Sequence, residues 1–148
     1  MKTLKFFSLA LCLLVAFTSC KKDEDVRPQD AQDNIVGDWT VSEGHAVVYT
    51  GGYKVLDTEI ETSGTIDFEN DNTGQSDFSM NILGEVERAV GPFTWEIDGF
   101  EIIMDKGTAD ETRWAIITDK DNLQELQYTE VDEEDDMEVE FTLILTRR

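Results

Sequence analysis

The sequence is poor in cysteine, histidine and positive charge, and each scarcity argues against a class of structure or function. Its 148 residues include two cysteines, one histidine and two prolines. A single histidine is poor evidence for a zinc site, which usually takes several histidine or cysteine ligands. Only 12 basic residues stand against 33 acidic ones, for a formal net charge of −21. Binding to nucleic acid or to anionic lipid headgroups is therefore disfavoured.

The chain also lacks an apolar run long enough to span a membrane as a helix. Residues 6–17 form an apolar run of about a dozen residues, whereas a spanning helix needs about 20. Lys2 and Lys5 precede this run, an order that is typical of an export signal. Cys12 lies inside the run and would leave with it. The exported chain then keeps only Cys20, so no intrachain disulfide is possible.

The residues before Cys20 form a pattern for lipid attachment. Phe17 is large and apolar, and Thr18 and Ser19 are small. The pattern resembles the lipobox of bacterial lipoproteins, which implies removal of residues 1–19 and a diacylglyceryl group on the sulfur of Cys20. Two or three acyl chains, at about 0.8 kcal/mol per buried methylene, anchor a protein stably. The alternative is an ordinary secretory signal with a cysteine at the cut.

A short charged segment follows the predicted lipid site. Residues 21–25 are two lysines and three acids, and they resemble the signals that send some Gram-negative lipoproteins to the outer face of the outer membrane. A solvated linker explains the same residues equally well. From the lipid site and this segment together, we expect a lipid-anchored protein of the Gram-negative outer membrane, facing the periplasm or the outside. Residues 20–34 are interpreted as the lipidated cysteine and a flexible acidic linker.

From residue 35 to the end, the dominant hydrophobic period is two, which is the period of a half-buried β-strand. Alternation is clearest over residues 137–146 and 93–98, and Asp98-Gly99 is a strong hairpin signal. No segment after the export signal has the length and 3.6-residue period of a helix. About eight short strands joined by tight turns predict an all-β, antiparallel up-and-down meander. Such a meander closes most naturally into a barrel, because closure removes exposed edges.

Four segments in order resemble small bacterial lipocalin-like domains. They are Gly37-Asp38-Trp39 on the first strand, residues 65–74 as a strand and acidic turn, residues 93–99 as the middle hairpin, and residues 141–147 as the last strand. The resemblance covers residues 35–148 and implies an eight-stranded lipocalin-like barrel with Trp39 packed at its closed end. It also implies that Arg147 lies over Trp39 in a cation–π contact, worth about 0.5–2 kcal/mol.

The interior of the predicted barrel is rich in large aromatic side chains. An eight-stranded barrel is just wide enough to be filled by side chains or to hold one small ligand. The many inward aromatic residues favour a filled interior. The alternative is a small apolar pocket at the open end, lined by some of Phe78, Trp95, Phe100 and Trp114.

No residue pattern indicates catalysis, a cofactor or a metal. His45 has no cysteine partner once Cys20 is lipidated, no nucleophile elbow surrounds a serine, and residues 119–130 lack the glycine that an EF-hand loop needs. The sequence therefore predicts a monomeric binding or interaction module that is not an enzyme. Its expected partners are the membrane, through the lipid, and a small apolar ligand or an envelope protein. The alternative is a structural accessory subunit of a cell-envelope complex that binds no small ligand.

Overall fold

The computed structural model describes residues 28–82, 84–134 and 136–148. The predicted export signal and Cys20 lie outside these residues. The elements are α1 (Pro28–Ile35), β1 (Gly37–Thr50), β2 (Tyr53–Phe68), β3 (Thr73–Ile82), β4 (Glu85–Asp98), β5 (Glu101–Met104), β6 (Thr112–Lys120), β7 (Leu123–Asp132) and β8 (Met137–Arg147). Among the described residues, no helix is both long enough and apolar enough to cross a membrane.

The eight strands form one closed antiparallel barrel in sequence order, and β8 returns to pair with β1. Directly paired residues of antiparallel strands lie on the same face. Val41 of β1 pairs with Leu145 of β8, and both are buried inside the barrel. The predicted all-β, up-and-down meander of about eight strands is therefore confirmed.

Aromatic side chains fill the lower end of the barrel, which we define as the end where β1 begins and β8 ends. Trp39, Phe68, Phe93 and Trp95 are all buried there. The Phe68 ring meets the rings of Phe93 and Trp95 edge-on, with centroids 5.4 Å and 5.5 Å apart, a favoured aromatic geometry. A Cβ atom on Gly74 would lie 2.2 Å from the Phe93 ring, so only glycine leaves room for it. The prediction of a filled interior is correct for this end.

Helix α1 packs on the lower end, so the prediction of a flexible linker without a helix is wrong for residues 28–34. Ala31 and Ile35 are fully buried, and the Asn34 side chain donates a 3.0 Å hydrogen bond to Asp119 on β6. Eight residues are too few for a 3.6-residue period to stand out. So short a helix is stabilised by packing on the barrel rather than by its own sequence.

Arg147 ties α1, β1 and β8 together, in an arrangement that we call the Arg147 clamp. Its guanidinium carbon lies 4.4 Å from the centre of the Trp39 ring, the contact that the lipocalin resemblance implied. Nη1 donates to the Val36 carbonyl at 2.9 Å and Nη2 to the Asn34 carbonyl at 2.6 Å. Nε donates to the carbonyl of Asp121. The cation thus lies at the carboxyl end of α1, where the helix dipole favours positive charge.

Gly37 makes room for the clamp. Its φ is 135°, a conformation that other residues adopt only under strain. A Cβ atom at this position would lie 2.3 Å from Nη1 of Arg147, so a side chain would push the guanidinium off Trp39. The indole N–H of Trp39 donates a 2.7 Å hydrogen bond to the Ile35 carbonyl. Both the glycine and the tryptophan of the Gly-x-Trp pattern thus support the Arg147 clamp, since Gly37 leaves room for the guanidinium and Trp39 provides the ring beneath it.

Replacing Arg147 by alanine is expected to lower the free energy of unfolding by about 2–3 kcal/mol. The variant loses charged hydrogen bonds, worth about 1.5–3 kcal/mol, and a cation–π contact worth about 0.5–2 kcal/mol, and solvent exposure of Arg147 reduces their sum. Arg148→Ala is the matched control, because Arg148 is exposed and bonds to the Asp38 carbonyl through its backbone N–H. Thermal melts and tryptophan emission report the effect. Equal melting temperatures for the two variants would contradict the clamp.

Candidate ligand-binding cavity

The barrel encloses a cavity of about 210 Å³ above its aromatic lower end. Every strand contributes to the wall, which consists of Val41, Ile66, Phe68, Ser76, Phe78, Met80, Ala89, Ile102, Met104, Thr112, Trp114, Leu126, Leu143 and Leu145. Only two of these residues carry a hydroxyl. That of Ser76 donates to the Gly91 carbonyl at 3.2 Å, and that of Thr112 accepts from the Trp114 indole N–H at 3.3 Å. The wall is therefore almost wholly apolar.

The cavity shows that the prediction of a filled interior is wrong for the upper part of the barrel. The lower end is packed with tryptophan and phenylalanine, whereas some inward positions around the cavity carry smaller or unbranched side chains. Ala89 on β4 pairs directly with Phe78 on β3, and the unbranched side chains of Met80 and Met104 also line the cavity. Counting aromatic residues in the sequence could not reveal this uneven distribution of side-chain volume along the barrel axis.

The four predicted pocket residues separate into three groups. Phe78 and Trp114 line the cavity. Trp95 belongs to the filled lower end, where its indole N–H donates to the Thr73 carbonyl at 2.9 Å. Phe100 lies outside the barrel with 51% of its surface exposed. The sequence pattern placed Phe100 on a strand, but Asp98 pairs with Glu101, so Gly99 and Phe100 form the turn itself.

The barrel wall has an opening on one side, between the upper parts of β4 and β7. β4 pairs with β3 over residues 85–94 but with β5 only over residues 95–98. β7 pairs with β6 only as far as Gln127, and residues 128–132 pair with β8 alone. Cavity residues beside the opening, including Ala89, Met104 and Trp114, are partly exposed. The cavity therefore communicates with solvent through this side opening.

A row of three aromatic rings stands beside the opening. The Trp114 and Tyr128 rings have centroids 5.3 Å apart, and Tyr128 stacks on Phe141 at 6.4 Å with 15° between the ring planes. Sequence reasoning missed Tyr128. The alternation of Gln124, Leu126 and Tyr128 on β7 is the signal that could have placed it inward.

The loop between β5 and β6 forms the lower rim of the opening and is fastened by charge. Arg113 contacts Glu111 at 2.9 Å and Glu101 at 3.5 Å. Glu111 also accepts a 2.8 Å hydrogen bond from the backbone N–H of Gly107. That bond, together with the Arg113 contact, lowers the pKa of Glu111, so the carboxylate remains ionised and holds the loop in place.

A second, polar concavity lies on the outer wall near an irregularity of β1, and it holds the single histidine. His45 Nε2 lies 2.8 Å from Asp57, which also accepts a 2.6 Å bond from Lys54. The hydrogen bond from Lys54 lowers the pKa of Asp57. Within the described residues, no hydroxyl is hydrogen-bonded to His45, and no group of three or more His, Cys, Asp or Glu residues could hold a metal ion. Lys54 and Asp57 form an exposed ion pair, and His45 contacts the same carboxylate.

Comparison with known proteins finds distant structural similarity. No protein-family model and no curated protein sequence matches this chain. A complex of bovine odorant binding protein with a selenium-containing odorant has a TM-score of 0.45 and 16% identity, over 77% of this chain and 73% of that one. The S-type phycobiliprotein lyase CPES from Guillardia theta has a TM-score of 0.40 and 12% identity, over 84% and 94% of the two chains. Similarity at this level carries no information about ligand or activity.

Trp114 is expected to supply most of the tryptophan emission that a water-soluble quencher can reach. Trp39 and Trp95 are 0% and 3% exposed, whereas Trp114 is partly exposed beside the opening. Acrylamide quenching should therefore fall sharply in Trp114→Phe. Trp95→Phe is the control and should keep the quenching of the wild type. Unchanged quenching in Trp114→Phe would mean that this side chain is not at the opening.

Proposed function

We propose that this chain is a lipid-anchored binding protein of the bacterial cell envelope whose barrel holds one small apolar molecule. The observation that carries the proposal is the apolar cavity of about 210 Å³ that reaches solvent through the side opening. A dry apolar cavity of about 150 Å³ accepts benzene. This cavity therefore suits a ligand of roughly ten non-hydrogen atoms. Haem and sterols are too large for it.

The cavity also bears on the alternative of a purely structural accessory subunit. A barrel that binds nothing gains stability from a filled interior, since an enclosed void costs roughly 24 cal/mol per Å³. For a void of about 210 Å³ that is on the order of several kcal/mol, reduced here because the cavity is partly open. A void of this size in the barrel interior therefore favours a binding module over a purely structural subunit.

The proposed anchor rests on the sequence alone, because Cys20 lies outside the described residues. Its support is the agreement in position of the charged residues, the apolar run, the small residues and the cysteine. The net charge of −21 argues that acyl chains, and not headgroup attraction, hold the protein at a membrane. An outer-membrane location, facing the periplasm or the outside, is part of this proposal.

Filling the cavity is expected to abolish binding without unfolding the protein. In Ala89→Phe a phenyl group enters the cavity, and the affinity for indole should fall at least tenfold. Val90→Phe is the matched control, because Val90 is the next residue, 64% exposed, and on the outer face. Calorimetric titration of the Cys20→Ala form, which needs no detergent, measures both affinities. No saturable binding of indole, toluene, naphthalene or 2-phenylethylamine to the parent protein would overturn the proposed function.

Loss of the cysteine at the lipid site is expected to release the protein from the membrane. Cys20→Ala should appear as soluble or uncut protein, whereas Cys12→Ala, which changes a cysteine inside the export signal, should fractionate with membranes like the wild type. Centrifugation of lysed cells followed by immunoblotting measures the distribution. A Cys20→Ala protein of mature size that sediments with membranes to the same extent as the wild type would refute the anchor.

A further inference from the structure

We infer that the ligand of the cavity is a small organic cation, namely a protonated amine with an apolar body. The inference rests on the proposed function and names the chemical class that the same cavity accepts. Three features of the side opening carry it: carboxylates on its two edges, the placement of the basic residues nearby, and the row of aromatic rings beside it.

Carboxylates face the opening from both edges. Glu87 on β4 pairs with Met80, which lines the cavity, so Glu87 lies on the inner face of the wall. Glu130 on β7 follows Tyr128 by two residues and therefore shares its face, about 7 Å farther along the strand. It pairs with Val139 of β8. The two glutamates flank the opening from opposite edges.

These negative charges are not neutralised within the described part of the chain. Glu85, Glu87 and Glu130 are exposed, and no hydrogen bond or ion pair engages their side chains there. Arg88 pairs with Ser79 and lies on the outer face.

The basic residues nearest the rim are engaged elsewhere. Lys106 forms an ion pair with Glu96, which raises the pKa of Lys106, and Arg113 contacts Glu101 and Glu111. The unpaired charges at the rim are therefore negative. A low-dielectric cavity beside charges of one sign focuses their electric field on an approaching ligand. The field at this opening attracts cations and repels carboxylates, fatty acids included.

The aromatic row also attracts a cation, by a contact that adds to the charge of the rim glutamates. Trp114 lines the cavity beside the opening, and the Tyr128 ring lies next to it, with 5.3 Å between the two centroids. A cation within about 6 Å of such a ring is attracted by its π-electrons. An amine whose apolar body fills the cavity would place its ammonium group between these rings and the rim glutamates. The cavity holds the body, and the opening holds the charge.

Three probes of nearly equal size test the inference: 2-phenylethylamine, 2-phenylethanol and phenylacetate. Calorimetric titration at low ionic strength uses the Cys20→Ala protein, which keeps every residue that the structure describes. We expect the ammonium to bind at least tenfold more tightly than the alcohol, and phenylacetate to bind more weakly than the alcohol. High salt should reduce the advantage of the ammonium, because the rim charges are exposed to solvent.

Variants locate the source of the preference. Glu87→Gln combined with Glu130→Gln should bring the affinity for the amine close to that for the alcohol and leave the affinity for the alcohol unchanged. The control combines Glu59→Gln with Glu138→Gln, which removes the same charge from the outer face and should keep the preference.

Two outcomes separate this inference from the proposed function. If the alcohol and indole bind but the amine gains no advantage, or if the rim variant keeps the preference, the inference is wrong and the proposed function stands. If none of the probes binds, the proposed function itself fails.

Discussion

The stacking of Arg147 on Trp39 is the contact on which the rest of the barrel depends. One guanidinium joins the first strand, the last strand and the helix that precedes them, so a single residue fastens both ends of the described chain. Barrel closure requires β1 and β8 to meet, and the clamp lies where they meet at the lower end. Because this end is closed and dry, the opposite part of the barrel is free to vary in side-chain volume.

The two ends of the barrel have different roles. The lower end holds the packed rings of Trp39, Phe68, Phe93 and Trp95, and this packing supplies stability. In the upper part the side chains are packed less tightly, which leaves the cavity. The upper parts of β4 and β7 are not paired with each other, which leaves the opening. An unpaired strand edge invites association with other chains. The upper part of β4 limits this hazard with charged side chains at Glu85, Glu87 and Arg88, and with Pro92, which has no N–H to offer.

The fold was largely predictable, because the alternation of apolar and polar residues indicates which face of each strand is buried. β8 shows this well, with Leu143 and Leu145 buried as the pattern requires. Helix α1 was missed since its burial, not its sequence, makes it a helix. Phe100 was misplaced because the sequence pattern does not show whether the hairpin turn ends before or after this residue. The cavity and its opening depend on side-chain volumes and strand offsets that exist only in three dimensions, so half of the predicted pocket lay elsewhere.

The position of the opening has a kinetic consequence. The upper edges of β4 and β7 share no backbone hydrogen bonds in the barrel ladder. A molecule that passes between them therefore breaks no strand pairing, and only side chains such as Trp114 must move aside. Side-chain rotations are far faster than local unfolding. If the proposed ligand uses this route, its exchange is governed by how strongly it is held, and the barrel stays folded while it enters and leaves.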